Sequence, residues 1–209
     1  MASELELINQ ALAALGQERL LDDLDQDPPS RPLRVARGLL PTLRDAMLRS
    51  YPWLCAMRRR SLPALVLADN HGDWAYPTAY GLPEAVLRVW MVETGRRWQR
   101  GRANAVANPR RDAILASGEG PLKVVLIERV DYADLDACLF DAMALELASR
   151  MAGPLQADKA LGRALRQDAE AALATAYSVD ATETGNEPPL FESAWLAARD
   201  GAIIGYAGA

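Results

Sequence analysis

The sequence has few of the residues that most often carry out catalysis or bind metals. It holds a single histidine, His71, and two cysteines, Cys55 and Cys138, in 209 residues. Both cysteines lie among apolar neighbours, which favours buried free thiols over a disulfide framework. Zinc-ligand spacings, the G-x-S-x-G elbow and the G-x-G-x-x-G loop are missing, so the enzyme classes that these motifs mark are not indicated.

A basic excess and long apolar runs are also missing. No apolar stretch approaches the ~18 residues that a membrane span requires, so we expect no membrane association. The 23 basic and 28 acidic side chains give a net charge of −5, which argues against nonspecific DNA binding over the whole surface. The acidic, polar start MASELELINQ predicts no signal peptide, and we expect synthesis in a reducing cytoplasm.

Helical periodicity is present toward both ends of the chain. Ser3 is a predicted N-cap and Gly16 a predicted stop for the first helix, while Ser30 and Pro32 suit the start of the second. The predicted helices span about 3–15, 30–50, 131–151 and 156–177.

Prolines and aspartates suggest further helix boundaries. Pro41 predicts a kink or break in the second helix, and the Gly-Pro pair at 153–154 predicts the end of the third. Either Asp131 or Asp134 can cap the third helix. That helix is apolar nearly all round, which predicts a central position in a bundle or at an interface.

Residues from about 62 to 129 are rich in β-branched side chains, glycine and proline. Strand candidates are ALVLA, AVLRVWMVE, AILAS and LKVVLIERV, and SGEG between the last two predicts a glycine turn. The arginine-rich segment GRRWQRGRANAVANPRRD predicts a long loop or a weak hairpin.

The order of these segments predicts an α+β fold. We expect a bundle of about four helices with a small antiparallel β insertion between helices 2 and 3, forming a single domain over 1–179. The segment 180–209 has no sustained period but carries large apolar side chains, which disordered tails usually lack. We therefore expect an extended C-terminal tail that docks on a partner.

The stretch DNHGDW, residues 69–74, contains the candidate catalytic residues. Asp69, His71 and Asp73 could support acid–base chemistry or hold part of a metal site. The same stretch is a good tight turn, because asparagine and glycine tolerate positive φ. A turn is the favoured interpretation, and a small hydrolase or nuclease that uses these three residues is an alternative.

Arginine runs raise the possibility of a surface near nucleic acid. Arginines occur at 58–60, 96–97, 100, 102 and 110–111, and Trp98 could offer a stacking platform for single strands. Because the net charge is negative, we favour arginines that solvate loops or pair with acidic groups on another subunit.

Three segments, taken in order, resemble the tail tubular protein A, or gatekeeper, family of short-tailed phages. They are INQALAALGQERLLDDLDQDPPSRPLRVARGLLPTLRDAMLRSYPW, WAYPTAYGLPEAVLRVWMVE and GPLKVVLIERVDYADLDACLFDAMALELASRMAGPL. The resemblance covers about residues 5–177. It lies in helices and turns rather than in a catalytic motif.

The resemblance implies a structural virion protein at the head–tail joint, without enzyme activity or cofactor. Such adaptors form a homo-oligomeric ring of about twelve copies beneath the portal protein. A downstream tail or nozzle protein docks below, and double-stranded DNA passes through the channel, without sequence-specific binding, during ejection. A helical assembly chaperone, absent from the finished particle, is a further alternative.

Within that interpretation, particular residues are expected to make contacts. The acidic net charge would let DNA slide rather than stick in a channel. The predicted portal-docking residues of the tail are Phe191, Trp195, Arg199, Ile203, Ile204 and Tyr206. The predicted subunit or β-region contacts are Trp74, Tyr76, Tyr80 and Trp98. We expect no catalytic, cofactor-binding or metal-binding residues.

Overall fold

The computed structural model describes residues 3–17, 21–67, 75–106, 108–156 and 158–183. Within these ranges the chain forms four α-helices with six β-strands between the second and third helix, which confirms the predicted α+β class. The helices are α1 (Glu4–Ala14), α2 (Arg31–Ser50), α3 (Ala137–Gln156) and α4 (Lys159–Glu183). The strands are β1 (Met57–Leu62), β2 (Thr78–Gly81), β3 (Val86–Val92), β4 (Trp98–Ala105), β5 (Asn108–Ala116) and β6 (Leu122–Glu128).

Helix α3 lies at the centre of the bundle and packs against α1, α2 and α4. Side chains on several of its faces are buried. The buried residues include Leu139, Met143, Leu147 and Met151. A helix needs polar residues only where it meets water, so a helix with three helical neighbours is apolar nearly all round. The central position predicted from its composition is confirmed.

The first helix begins and ends as predicted, but the third does not begin where expected. The Ser3 hydroxyl accepts the Glu6 amide at 3.1 Å, and Gly16 ends α1 with φ of 69°. For α3 the cap is Asp136, whose carboxylate accepts the Cys138 amide at 2.9 Å. The predicted caps Asp131 and Asp134 instead flank or end a short 3-10 turn over Tyr132–Asp134.

Neither Pro41 nor Pro154 interrupts its helix. Helix α2 continues through Pro41, because buried residues of one stripe, such as Leu40 and Leu43, lie on both sides of it and hold the two halves against α3. Helix α3 continues through Pro154 to Gln156. There Arg31 donates a hydrogen bond of 2.6 Å to the Pro154 carbonyl, which ties this last turn to the start of α2.

Several predicted boundaries move accordingly. Helix α3 spans Ala137–Gln156 rather than about 131–151, and α4 spans Lys159–Glu183 rather than about 156–177. The segment assigned to a tail from residue 180 therefore begins inside a helix. The β region starts at Met57 rather than about 62, because the arginine run at 58–60 belongs to β1.

The strands form two antiparallel three-stranded sheets within the described residues. The first has the order β1-β6-β3 and the second the order β2-β5-β4. They face each other across an apolar core formed by residues of both sheets, including Tyr80, Val89, Ile114, Leu122 and Leu126. The first sheet is a middle layer: Leu126 of β6 faces the second sheet, while the adjacent Ile127 packs into the helical core.

The outer face of the second sheet is covered by the segment predicted as the strand ALVLA. Over 64–67 this segment makes only isolated bridges, Ala64 with Tyr80 and Leu67 with Ala105. Leu65 and Leu67 pack on the sheet. The segment is apolar because it covers a sheet rather than extends one, so the strand prediction is wrong here.

The arginine-rich segment forms the hairpin of β4 and β5, so the hairpin alternative is the correct one. In the described part of the chain β4 is an edge strand, with only the isolated Leu67–Ala105 bridge on its open side, and edge strands commonly carry charged residues. The predicted glycine turn joins β5 to β6, and Gly118 and Gly120 adopt φ of 88° and 82° there.

Candidate interaction surfaces

Many of the predicted site residues lie outside the described part of the chain. The six tail residues predicted to dock on a portal and Trp74 are among them. So are Asp69, His71 and Asp73, the three residues of the catalytic alternative. The structure therefore places Tyr76, Tyr80 and Trp98 of the predicted set.

Tyr80 holds together the turn between β5 and β6. Its ring is fully buried between the two sheets, and its hydroxyl donates to the Gly120 carbonyl at 2.8 Å. Arg96 donates to that hydroxyl at 2.9 Å and forms an ion pair with Glu93 at 2.8 Å. With its ring and hydroxyl both engaged inside the chain, Tyr80 contributes to the β region rather than to an exposed surface.

Tyr76 and Trp98 lie nearer the surface. Tyr76 is partly buried against a small cluster that includes Ala79 and Leu115 on the outer face of the second sheet. Trp98 lies at the start of the edge strand β4 and is 36% exposed. Of the three, Trp98 therefore offers the most surface to another molecule.

Arg100 fastens the second sheet to the first. Its guanidinium donates to the Leu87 carbonyl at 2.9 Å and the Val86 carbonyl at 3.2 Å, both on the outer edge of β3. The same guanidinium forms an ion pair with Asp112 at 2.6 Å. These contacts satisfy carbonyls that an edge strand otherwise leaves open.

Arg60 has a similar internal role at the opposite edge of the first sheet. It makes two hydrogen bonds to the buried carboxylate of Glu128, at 2.5 and 2.8 Å. Burying a carboxylate costs free energy unless the charge is paired. This bidentate contact therefore offsets the cost of burying Glu128. Arg60 and Arg100 therefore pair with acidic groups of their own chain rather than with a second subunit.

Other arginines join the β region to the bundle. Arg129 forms an ion pair with Asp45 of α2, and this hydrogen-bonded contact lowers the pKa of the Asp45 carboxyl. Arg49 of α2 donates to the Leu87 carbonyl at 3.0 Å. Arg88 of β3 donates to the Arg49 carbonyl at 3.2 Å. The acidic and carbonyl partners come from distant parts of the sequence, so spacing alone could not indicate them.

An aromatic cluster joins the end of α2 to the end of α4. Trp53 is fully buried and stacks on Tyr177 of α4, with ring centroids 5.0 Å apart. Tyr51 contacts both rings, at 4.8 Å from Trp53 and 4.6 Å from Tyr177. The Trp53 indole N–H donates to the Met47 carbonyl at 3.0 Å.

Asp180 lies beside this cluster and is a buried charged group, 6% exposed. Its carboxylate accepts the Leu54 amide at 3.0 Å, which tethers the last turns of α4 to the chain leaving α2. Burial raises the pKa of Asp180, the Leu54 amide partly offsets that rise, and the nearby carboxylates of Asp136 and Glu183 add to it.

The raised pKa of Asp180 makes stability depend on pH. A carboxyl whose pKa is higher in the folded state binds protons more tightly when folded, so its contribution to stability is lost as pH rises through that pKa. We expect Asp180→Asn, which keeps an acceptor for Leu54 but carries no charge, to be more stable than wild type at neutral pH. Urea unfolding should show this difference shrinking to zero as pH falls below the ordinary range of aspartate.

The control is Asp180→Ala, which removes the acceptor as well as the charge. It should destabilise by about 1–3 kcal/mol at neutral pH, because the Leu54 amide loses its partner. An Asn variant that is less stable than wild type at neutral pH would contradict this account.

A shallow groove of about 280 Å³ runs along the bundle where α2 and α4 both pack on α3. Its apolar lining includes Leu43, Met47, Ala142, Ala169, Leu173 and Tyr177. Glu146, Arg150, Arg166 and Glu170 form its polar rim at the end away from Tyr177. The sequence did not predict this groove. Periodicity predicts each helix separately, whereas the groove depends on how three helices pack together.

Within the described ranges, no group of three or more histidine, cysteine, aspartate or glutamate side chains could hold a metal ion. No described helix has the length and apolar character needed to cross a membrane. No protein-family model matches the sequence, and the search of curated proteins likewise finds no match. The class of protein that these features define is an α+β protein with a groove between helices.

Proposed function

We propose that this protein is a head-to-tail adaptor of a short-tailed phage. Copies of the chain would form a ring between the portal and the tail, around a channel through which DNA passes. The observation that carries the proposal is the ordered resemblance of three segments to the gatekeeper family over about residues 5–177. The α+β class of the chain, with strands between α2 and α3, agrees with that resemblance.

The outer surface of α4 supports lateral packing of subunits. Among the described helices, α4 packs mainly on α3, and the small side chains of Ala164, Ala171 and Ala174 are exposed. Small side chains on a helix permit close approach of another helix. We propose that this face meets the neighbouring subunit of the ring.

The distribution of charge supports a channel that does not retain DNA. Arg60, Arg96, Arg100 and Arg129 are paired with acidic groups of the same chain. Paired arginines have less charge to offer phosphates, and the net charge is negative. Sequence-independent retention of DNA would therefore be weak.

The test combines the purified chain with the portal protein encoded by the same genome. Negative-stain microscopy and native mass spectrometry should show a ring of about twelve copies on the portal. Deleting residues 190–209 should weaken portal attachment while changing the free energy of unfolding little. The matched control is an Arg102→Gln chain, which alters an exposed side chain on β4 and should attach normally.

Other results would contradict the proposal or one part of it. Absence of a ring in the presence of the portal would contradict the proposal, whereas a free monomer alone would not. If the deleted chain loses thermal stability but still attaches to the portal, then the tail belongs to the core. A chain that promotes assembly yet is missing from purified virions would indicate a chaperone, and activity lost in His71→Ala would indicate an enzyme.

A further inference from the structure

The end of the second sheet where β4 turns into β5 carries two arginines without an acidic partner. Arg102 and Arg111 are exposed there, and neither guanidinium forms an ion pair or a hydrogen bond within the described residues. Asp112 lies opposite Arg102 in the strand register but is already engaged by Arg100 at 2.6 Å. Gly81 makes room for Arg111, because a Cβ there would come within 2.8 Å of the arginine Nε atom. Both charges are therefore open to another molecule.

The same end of the sheet exposes two valines. Val66 and Val106 are 77% and 68% exposed, and they adjoin each other because the Val106 amide donates to the Val66 carbonyl at 3.1 Å. Protein–protein interfaces combine an apolar centre with an enrichment in arginine, and this surface has both features. Together, Val66, Arg102, Val106 and Arg111 form the basic tip.

The connection between α1 and α2 has the opposite charge. Residues 22–27, with the sequence DDLDQD, form this acidic connection. Its carboxylates are exposed and have no cationic partner in the described part of the chain; they belong to Asp22, Asp23, Asp25 and Asp27. Asp23 accepts the Asp25 amide at 3.0 Å, which is a contact within the connection itself. The acidic connection therefore complements the basic tip in charge.

The acidic connection and the basic tip lie too far apart to meet in one chain. Arg37 donates to the Leu24 carbonyl at 2.7 Å, which places the connection beside the first half of α2. Arg49, which contacts β3 of the first sheet, lies about 18 Å further along that helix. The second sheet lies beyond the first, at the usual spacing of about 10 Å. This separation exceeds the screening length of about 8 Å at physiological ionic strength, so the two charged groups hardly stabilise each other within one chain.

We propose that the basic tip of one copy docks on the acidic connection of a second copy. Carboxylates of the connection would pair with Arg102 and Arg111, and the exposed Pro28 beside them would cover part of the valine surface. The valines favour a protein partner over the phosphates of DNA, because a phosphate backbone offers them little apolar surface.

The two patches of this contact differ, so the contact is head-to-tail and its repetition builds a ring or a filament. The inference concerns copies of the chain alone. It adds a contact to the proposed ring but does not depend on the adaptor function, because it requires no portal protein.

The test measures self-association of the purified, nuclease-treated full chain by sedimentation equilibrium. The unaltered chain should associate at an ionic strength of about 0.05 M and dissociate near 1 M, where the screening length falls to about 3 Å. Arg102→Glu with Arg111→Glu reverses the charge of the tip and should weaken association by about tenfold or more. Asp22→Lys with Asp25→Lys should weaken it as much, and neither carboxylate accepts a hydrogen bond within the described ranges.

Mixing the two charge-reversed variants should restore association, because the glutamates of one then meet the lysines of the other. A chain with all four substitutions should also associate as the unaltered chain does, since every pair again has opposite charges. Restored association shows in addition that the altered chains are folded, so a weakened single variant is not explained by unfolding.

The matched control is Lys123→Glu with Lys159→Glu. Both lysines are exposed and lie outside the basic tip and the acidic connection. The change in net charge equals that of the Arg102→Glu, Arg111→Glu chain, so the control separates the tip from the overall charge. Its association should match that of the unaltered chain.

Four results would overturn the proposal. The first is an unaltered chain that stays monomeric at low ionic strength up to about 1 mM. The second is equal weakening by the lysine control and the tip variant. The third is failure of the mixed variants, or of the chain with all four substitutions, to associate. The fourth is association that requires added duplex DNA, which would place phosphates on the tip. Ring formation on the portal is measured separately, so either proposal can fail while the other holds.

Discussion

Replacing Trp53 by alanine is expected to lower the free energy of unfolding by about 3–5 kcal/mol. The side chain is fully buried, stacks on Tyr177 and donates a hydrogen bond to the Met47 carbonyl. Its loss would leave a large cavity where α4 meets the end of α2. Chemical denaturation, followed by far-ultraviolet circular dichroism, measures the change.

The control for Trp53 is Trp98→Ala on the edge of β4. That side chain is 36% exposed, and its removal should cost under about 1 kcal/mol. If the two variants lose similar stability, then the aromatic cluster is not what secures α4. A further expectation is that hydrogen exchange in Trp53→Ala accelerates most in the second half of α4, because Asp180 there also depends on this junction.

Leu126→Ala is expected to lower the free energy of unfolding by about 2–5 kcal/mol. Leu126 is fully buried between the two sheets, at the middle of the central strand β6. The next residue, Ile127, packs in the helical core, so damage to one cluster should be felt in the other. Amide exchange in β5 and in α3 should therefore accelerate together.

The control for Leu126 is Val66→Ala, at a side chain that is 77% exposed. Its effect should be within about 0.5 kcal/mol. Faster exchange in β5 of Leu126→Ala, with α3 unchanged, would show that the sheets and the bundle unfold separately. The chain over 1–179 would then behave as two cooperative units rather than the predicted single domain.

Helices were predicted from sequence because their signals are local. Apolar residues of one stripe, such as Leu33, Ala36 and Leu40, are all buried in α2. The cap at Ser3 and the stop at Gly16 depend on neighbours within one turn. The predicted end of α3 failed at Pro154, where the helix continues to Gln156.

Strands were predicted less well because their signals are not local. The prediction missed β1, in which Leu62 alone is buried. This strand owes its place to pairing with the buried strand β6. The segment 64–67 has strand-like composition but covers the face of a sheet instead. An apolar composition indicates that a segment is buried. It does not distinguish a strand within a sheet from a segment that covers the face of one.

The sequence by itself determined the α+β class, the order of two helices, a β region and two further helices, and the central place of the apolar α3. This was possible because periodicity and composition indicate which positions are buried and which are exposed. Only the tertiary structure decided which arginines are paired, how Asp180 is buried beside the aromatic cluster, and that three helices enclose a groove. Those features depend on distances between residues far apart in sequence, such as Arg60 and Glu128, which no local pattern records.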